Sequence, residues 1–174
     1  MSDLEQRLAG LHDAAFQWAL HCTGGRREDA EDALQATYMA LLDGSASFRE
    51  ESSFKSFVFA VIRNKARALH RKKKVRRLVS LEDVDPPDVE AVGAAGMEAA
   101  DRREAIRRAI QALSSRQREV LELVFYHDMT IEDASAVMGV GLGTARTHYK
   151  RAKESMLKQL SPGEKRWLKT TIGS

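Results

Sequence analysis

Disulfides, membrane spans and β-sheet are the structures this chain is least equipped to make. Cys22 is its only cysteine, so no intrachain disulfide can form. Aromatic residues make up 6% and there are three prolines, while Ala, Leu, Arg, Lys and Glu dominate, a composition that favours helices. No apolar run approaches the roughly 20 residues of a membrane-spanning helix. The first six residues are acidic and amphipathic rather than signal-like, which leads us to expect a cytoplasmic protein. At 174 residues the chain can hold one domain or two small helical ones, and two is the better reading.

Net charge is low as well, only +3, too little for a general polyanion binder. Its distribution says more. From Arg63 to Arg77, nine of fifteen residues are Lys or Arg with no acid, whereas Ser80 to Asp101 holds seven acids and no Lys or Arg. A phosphate backbone would attract the first segment and repel the second, so the two have different partners or face each other.

The acidic stretch also contains Pro86, Pro87, Gly93 and Gly96, and lacks helical periodicity until about Glu98. It reads as a linker. Before it, Leu4 to His21 and Arg27 to Leu42 read as amphipathic helices, Asp29 lying near the start of the second and Gly44 beyond its end. A polar loop from Asp43 follows, then a long helix from Phe54 to about Lys74. After it, helices over 102–113 and 115–126 lead into a helix-turn-helix. The fold expected is therefore all-α: two small helical domains, 1–78 and 102–174, joined by an acidic flexible linker, 79–101.

In the helix-turn-helix, Thr130 caps a first helix with Asp133 three residues on, Gly139 supplies a left-handed turn, and Gly143 and Thr144 open a second helix. Ala145, Tyr149, Ala152 and Met156 recur at helical spacing as an inward stripe, leaving Arg146, Thr147, Lys150, Arg151 and Lys153 outward. Any solvated bundle helix can show a charged face. The cap, the turn glycine and the outward Arg and Thr together point to DNA, where Arg binds guanine bidentately, Thr meets a thymine methyl or a phosphate, and Lys neutralises phosphates.

On the helix from Phe54, the residues Phe54, Phe57, Val58, Val61, Ile62 and Leu69 read as core, while Asn64, Arg67, Arg71 and Lys74 line a polar, cationic side. Phe48 has little apolar company in its loop. It either packs back onto the domain or meets a base.

With both halves placed, the order of features resembles the extracytoplasmic-function sigma factors, the two-domain promoter-specificity subunits of bacterial RNA polymerase. Asp29 to Gln35 looks like the family's polymerase-binding helix and Ser47 to Asn64 like its promoter-melting segment. Leu113 to Leu121 and Gly143 to Lys153 look like the two halves of its upstream-element domain. The resemblance implies that Asp29, Asp32 and Gln35 bind the clamp helices of the polymerase β′ subunit. It implies capture of a flipped minus-ten base by Phe48 and Asn64, with Arg67, Arg71, Lys72 and Lys73 on nearby phosphates. For the minus-thirty-five duplex it implies Thr144, Arg146, Thr147, Lys150, Arg151 and Lys153, with Arg118 clamping backbone. It further implies a non-enzymatic protein that needs no cofactor or metal, and an anti-sigma partner. The sequence departs from the family at Phe57, where tryptophan is usual, at Ala68, where aspartate is common, and at Gly141 and Ser114-Ser115.

Two other readings compete. A stand-alone helix-turn-helix regulator would have a sensor or dimerisation domain in its first half, yet that half carries a loop aromatic followed by a cationic segment, which suits single-stranded nucleic acid. A metal site on His12, His21 and Cys22 suffers from the poor chelate geometry of adjacent residues on a helix.

Overall fold

The computed structural model describes residues 2–79, 97–163 and 165–166, and side chains only outside 77–79 and 97–103. The chain divides into two compact units, 1–90 and 91–174. All regular structure among the described residues is helical, as the composition implies. Of the expected acidic linker, 79–101, residues 80–96 lie outside the described residues.

In the first unit, α1 spans Asp3–Cys22, α2 Arg27–Leu42 and α3 Phe54–Val79. Helix α1 starts on a capping box in which Ser2 accepts from the Glu5 amide and the Glu5 carboxylate accepts from the Ser2 amide. At its end Thr23 donates its hydroxyl to Ala19, and Gly24 and Gly25 turn the chain at φ 67° and 83°. The three helices meet along Leu8, Ala15, Trp18 and Ala19 of α1, Ala30, Ala33, Leu34 and Leu41 of α2, and Val58, Phe59, Ile62 and Ala66 of α3. The alanines let the backbones approach closely, and Trp18, Phe59 and Ile62 fill the space that remains. Each contributes about 1.5–3 kcal/mol by burial.

The buried face of α3 is rotated from the one expected. Phe59 is fully buried, while Phe54 and Phe57 are only half-buried. With apolar residues at 54, 57, 58, 59, 61 and 62 covering more than half the helix circumference, periodicity alone could not fix which edge faces inward. Helix α3 also runs five residues past the expected end at Lys74, because no glycine or proline interrupts it there.

The second unit contains α4, Met97–Gln111; α5, Ser115–Leu121, continued by one π turn, Glu122–Tyr126; α6, Ile131–Met138; and α7, Leu142–Gln159. Helix α4 begins inside the segment expected as linker, ahead of residue 102. The departure from the family pattern at Ser114 has a local compensation: Ser114 accepts from the Gln117 amide and the Gln117 side chain accepts from the Ser114 amide, a second capping box. Ala109, Leu113, Leu121, Ala152, Met156 and Leu160 form the core, with Ile106, Phe125, Tyr149 and Leu157 packed against it. The π turn interrupts what the sequence reads as one uninterrupted helix. It carries a fully buried Leu123 and leaves Phe125 stacked on Tyr149 at 5.8 Å.

Candidate nucleic-acid interface

The helix-turn-helix forms as its sequence dictates. The Thr130 hydroxyl oxygen accepts from the Asp133 amide at 3.0 Å and donates to the Asp133 carboxylate at 2.8 Å. Gly139 ends α6 in the left-handed region, φ 63° and ψ 42°. Gly141 caps α7 through its backbone only, and α7 starts at Leu142, one residue earlier than expected.

Along α7 the inward stripe is Ala145, Ala152 and Met156, all buried, with Tyr149 half-buried, its hydroxyl pKa raised by burial. Thr144, Arg146, Thr147, Lys150 and Arg151 are exposed in the first half of the helix, where the macrodipole also favours phosphate. The Thr147 hydroxyl donates back to the Gly143 carbonyl at 2.9 Å, which holds its methyl group in one place. Lys150 is 4.0 Å from Glu154, a loose surface pair that a phosphate can displace. Lys153, seven residues on from Arg146, lies on the same side of α7 but is half-buried, with its ammonium 5.5 Å from the Tyr149 ring centroid. Arg118, on α5, reaches the Gln111 carbonyl at 3.5 Å, a long contact that leaves most of its donors available.

In the first unit, Asn64, Arg67, Arg71 and Lys74 are all exposed at i, i+3, i+7 and i+10, forming a stripe about 15 Å long on α3. Lys72 is exposed beside it, whereas Arg63, within the same basic run, is buried at 6% exposure. Phe48 packs back onto the domain. Its ring lies 5.5 Å from Phe54, edge-on at 81°, and 5.3 Å from Phe57. The guanidinium of Arg7, on α1, stands 3.9 Å over the Phe54 ring and 5.6 Å from that of Phe48. Arg7 is a contributor that sequence reading missed, because the contact joins elements some forty residues apart. The loop between α2 and α3 is further shaped by the Asp43 carboxylate, which accepts from the Ser45 amide at 2.8 Å, and by Glu50, a non-glycine at φ 58°. Phe48 rests on Phe57, and Asn64 lies seven residues, about 10 Å, further along the same side of α3.

Two expected site residues, Asp29 and Lys73, pair with each other. Asp29 is 4% exposed and sits between two cations: Arg26 Nε donates to Oδ2 at 2.6 Å, and the Lys73 ammonium is bonded to Oδ1. Burial alone would push the Asp29 carboxyl up, but the hydrogen bonds and charges of Lys73 and Arg26 bring it below the ordinary carboxylate value. Asp29 is thus buried where Asp32 and Gln35 are exposed, and the Lys73 ammonium is engaged by its carboxylate. Asp32 and Gln35 are exposed, and Met39 and Leu42, 61% and 55% exposed, continue their row along α2 at i+7 and i+10 from Asp32. Beside Leu42 is a groove of about 360 Å³ between α1 and α2, lined by Glu5, Leu8, Ala9, His12, Tyr38 and Leu42, where His12 Nδ1 and the Tyr38 hydroxyl lie 3.2 Å apart. The sequence signal for the two apolar members was available in their helical spacing from Gln35.

Elsewhere in the second unit, burial pushes the Glu122 carboxyl up to about 6, with His127 Nε2 3.9 Å away. No described helix is long and apolar enough to cross a membrane.

Residues 9–76 match the family described as Sigma-70 region 2, and residues 103–156 match Sigma-70, region 4. The chain is 32% identical over 133 residues to the ECF RNA polymerase sigma factor EcfG of Rhodopseudomonas palustris, covering 76% of this chain and 71% of that protein. It is 30% identical over 138 residues to the ECF RNA polymerase sigma factor SigM of Mycobacterium tuberculosis, covering 79% and 67%. In fold it is similar to the sigma factor RpoE from Bartonella quintana, solved in complex with the anti-sigma factor NepR, with a TM-score of 0.71 at 24% identity over 91% of this chain and 97% of that one. It is also similar to CnrH, solved with the cytosolic domain of CnrY, with a TM-score of 0.57 at 23% identity over 88% and 84%. With a region-two domain, a region-four domain and relatives of this identity and coverage, the chain belongs to the ECF RNA polymerase sigma factors.

Proposed function

We propose that the chain works in the cytoplasm as a promoter-specificity subunit whose two units divide the promoter between them. The observation that carries this reading is that each unit presents an exposed cationic face of different chemistry. On α7, Arg146, Thr147, Lys150 and Arg151 suit the edges and phosphates of an intact minus-thirty-five duplex, with Arg118 on backbone. On α3, Asn64 with Arg67, Arg71 and Lys72 suits a minus-ten strand that has been opened. Phe48 shapes that site by holding the loop, and its partly exposed ring remains available for stacking. The row Asp32, Gln35, Met39 and Leu42 on α2 fits the β′ clamp helices of core polymerase, combining polar register with apolar area.

Control by an anti-sigma factor is part of the proposal. The fold neighbours were solved with such a protein, NepR, and with the cytosolic domain of CnrY. Co-purification with core RNA polymerase tests the reading: wild type binds, and Asp32→Lys with Leu42→Asp abolishes binding without unfolding the chain. Tight, sequence-specific duplex binding by the isolated chain, with no affinity for core polymerase, would instead identify a stand-alone helix-turn-helix regulator.

A further inference from the structure

Among its described side chains, the distal half of α3 presents little to its domain. Of residues 67 to 76, only Leu69 and Lys73 are partly buried and the rest are exposed; the two follow buried Ala66 along one helix edge at i+3 and i+7. The rest of that stretch includes Arg67, Arg71, Lys72, Lys74 and Arg76, whose like charges at helical spacing disfavour the helix. About 15 Å of helix thus overhangs the core, where an unanchored end frays.

Asp29 supplies the missing anchor. Its carboxylate is buried at the start of α2, oriented by Arg26 at 2.6 Å, and bonded to the Lys73 ammonium 44 residues away. We propose that Asp29 and Lys73 are positioning residues for promoter opening: the pair fixes the overhanging half of α3 so that Arg67, Arg71 and Lys72 present their charges in register to the opened strand. Lys73 then acts on DNA through the helix it holds, not by touching phosphate. The inference rests on the proposed role of the α3 stripe. It also joins the helix proposed to bind polymerase to the helix proposed to bind promoter.

Holoenzyme reconstituted from core polymerase and the full chain provides the test, with opening read by permanganate reactivity of minus-ten thymines at saturating sigma. Asp29→Asn and Lys73→Met should each lower opening by about tenfold, and the double variant should be no worse than either, because both remove one interaction. Lys73→Arg should restore most of it. In the free full-length chain, amide exchange over 67–76 should rise in Lys73→Met while that of 54–66 stays protected. If Lys73 instead held phosphate directly, Asp29→Asn would free it and opening would stay level or rise, and exchange in Lys73→Met would be unchanged; either result overturns the inference. An Arg67→Ala, Arg71→Ala variant separates this from the reading beneath it. Normal opening by that variant removes the α3 stripe from the promoter, whereas impaired opening there with normal opening by Asp29→Asn overturns the anchor alone.

Discussion

Trp18 Nε1 donates to the Phe59 carbonyl at 2.9 Å while the two rings stack, 5.6 Å between centroids and 5° from parallel. His21 also stacks on the indole, at 5.1 Å between centroids. One side chain of α1 therefore fixes both the height and the rotation of α3, and with them the direction in which Asn64 and the stripe beyond it point. Trp18→Phe should lower stability by about 1 kcal/mol, through the lost hydrogen bond, and Trp18→Ala by about 3–5 kcal/mol. Denaturant unfolding of the full chain measures both; equal losses would mean that the hydrogen bond, and not ring packing, dominates.

The structure separates the effects of Phe48 and Asn64. Phe48→Ala removes ring contacts with Phe54 and Phe57, so it should cost about 1–2 kcal/mol of stability as well as impair strand opening. Asn64 is exposed, and Asn64→Ala should stay within about 0.5 kcal/mol of wild type in stability while opening falls. Melting curves alongside permanganate footprints check the pair. Normal opening by Asn64→Ala would remove it from base capture.

Arg146→Ala and Lys150→Ala should differ in kind. Loss of a base-reading Arg costs about 1–3 kcal/mol and relaxes preference at one upstream base pair, whereas loss of a phosphate-binding Lys weakens all sequences alike. Holoenzyme binding to a set of upstream variants at fixed salt distinguishes them. Unchanged selectivity in Arg146→Ala would place that side chain on the backbone.

Glu122 should make the second unit sensitive to pH. Its folded pKa is raised by burial from 4.5 to about 6, so the fold favours the neutral form. Between those values the unfolded chain has lost the proton that the folded one keeps, and stability falls as pH rises. The loss should reach on the order of 1–2 kcal/mol and then level off. Glu122→Gln should remove this slope and melt higher than wild type at pH 7, as read by calorimetry. Parallel pH profiles for the two proteins would contradict the assignment.

What could be read from sequence alone was local. Thr130 with Asp133, Gly139, and the Ala145, Ala152 and Met156 stripe are each set by spacings within a turn or two, and the structure reproduces them. The Ser114 and Gln117 capping box had the same kind of signal but was not read. Contacts between distant elements carried no such signal: Asp29 with Lys73, Arg7 over Phe54, and Trp18 with Phe59 are decided by how helices pack. For that reason two formal charges assigned to polymerase and DNA surfaces proved to satisfy each other. Phe59 was missed because α3 is apolar around more than half its girth, so packing against α1 and α2, with the Trp18 hydrogen bond among it, selects the buried edge.

Selection of promoters by holoenzyme from a DNA pool randomised across both elements tests the division of labour most directly, comparing wild type, Arg146→Ala and Asn64→Ala. The account predicts that wild type recovers two separated elements, that Arg146→Ala loses preference only in the upstream one, and that Asn64→Ala loses it only in the downstream one. Recovery of a single duplex site by the chain without core polymerase, or a change in the downstream element caused by Arg146→Ala, would contradict it.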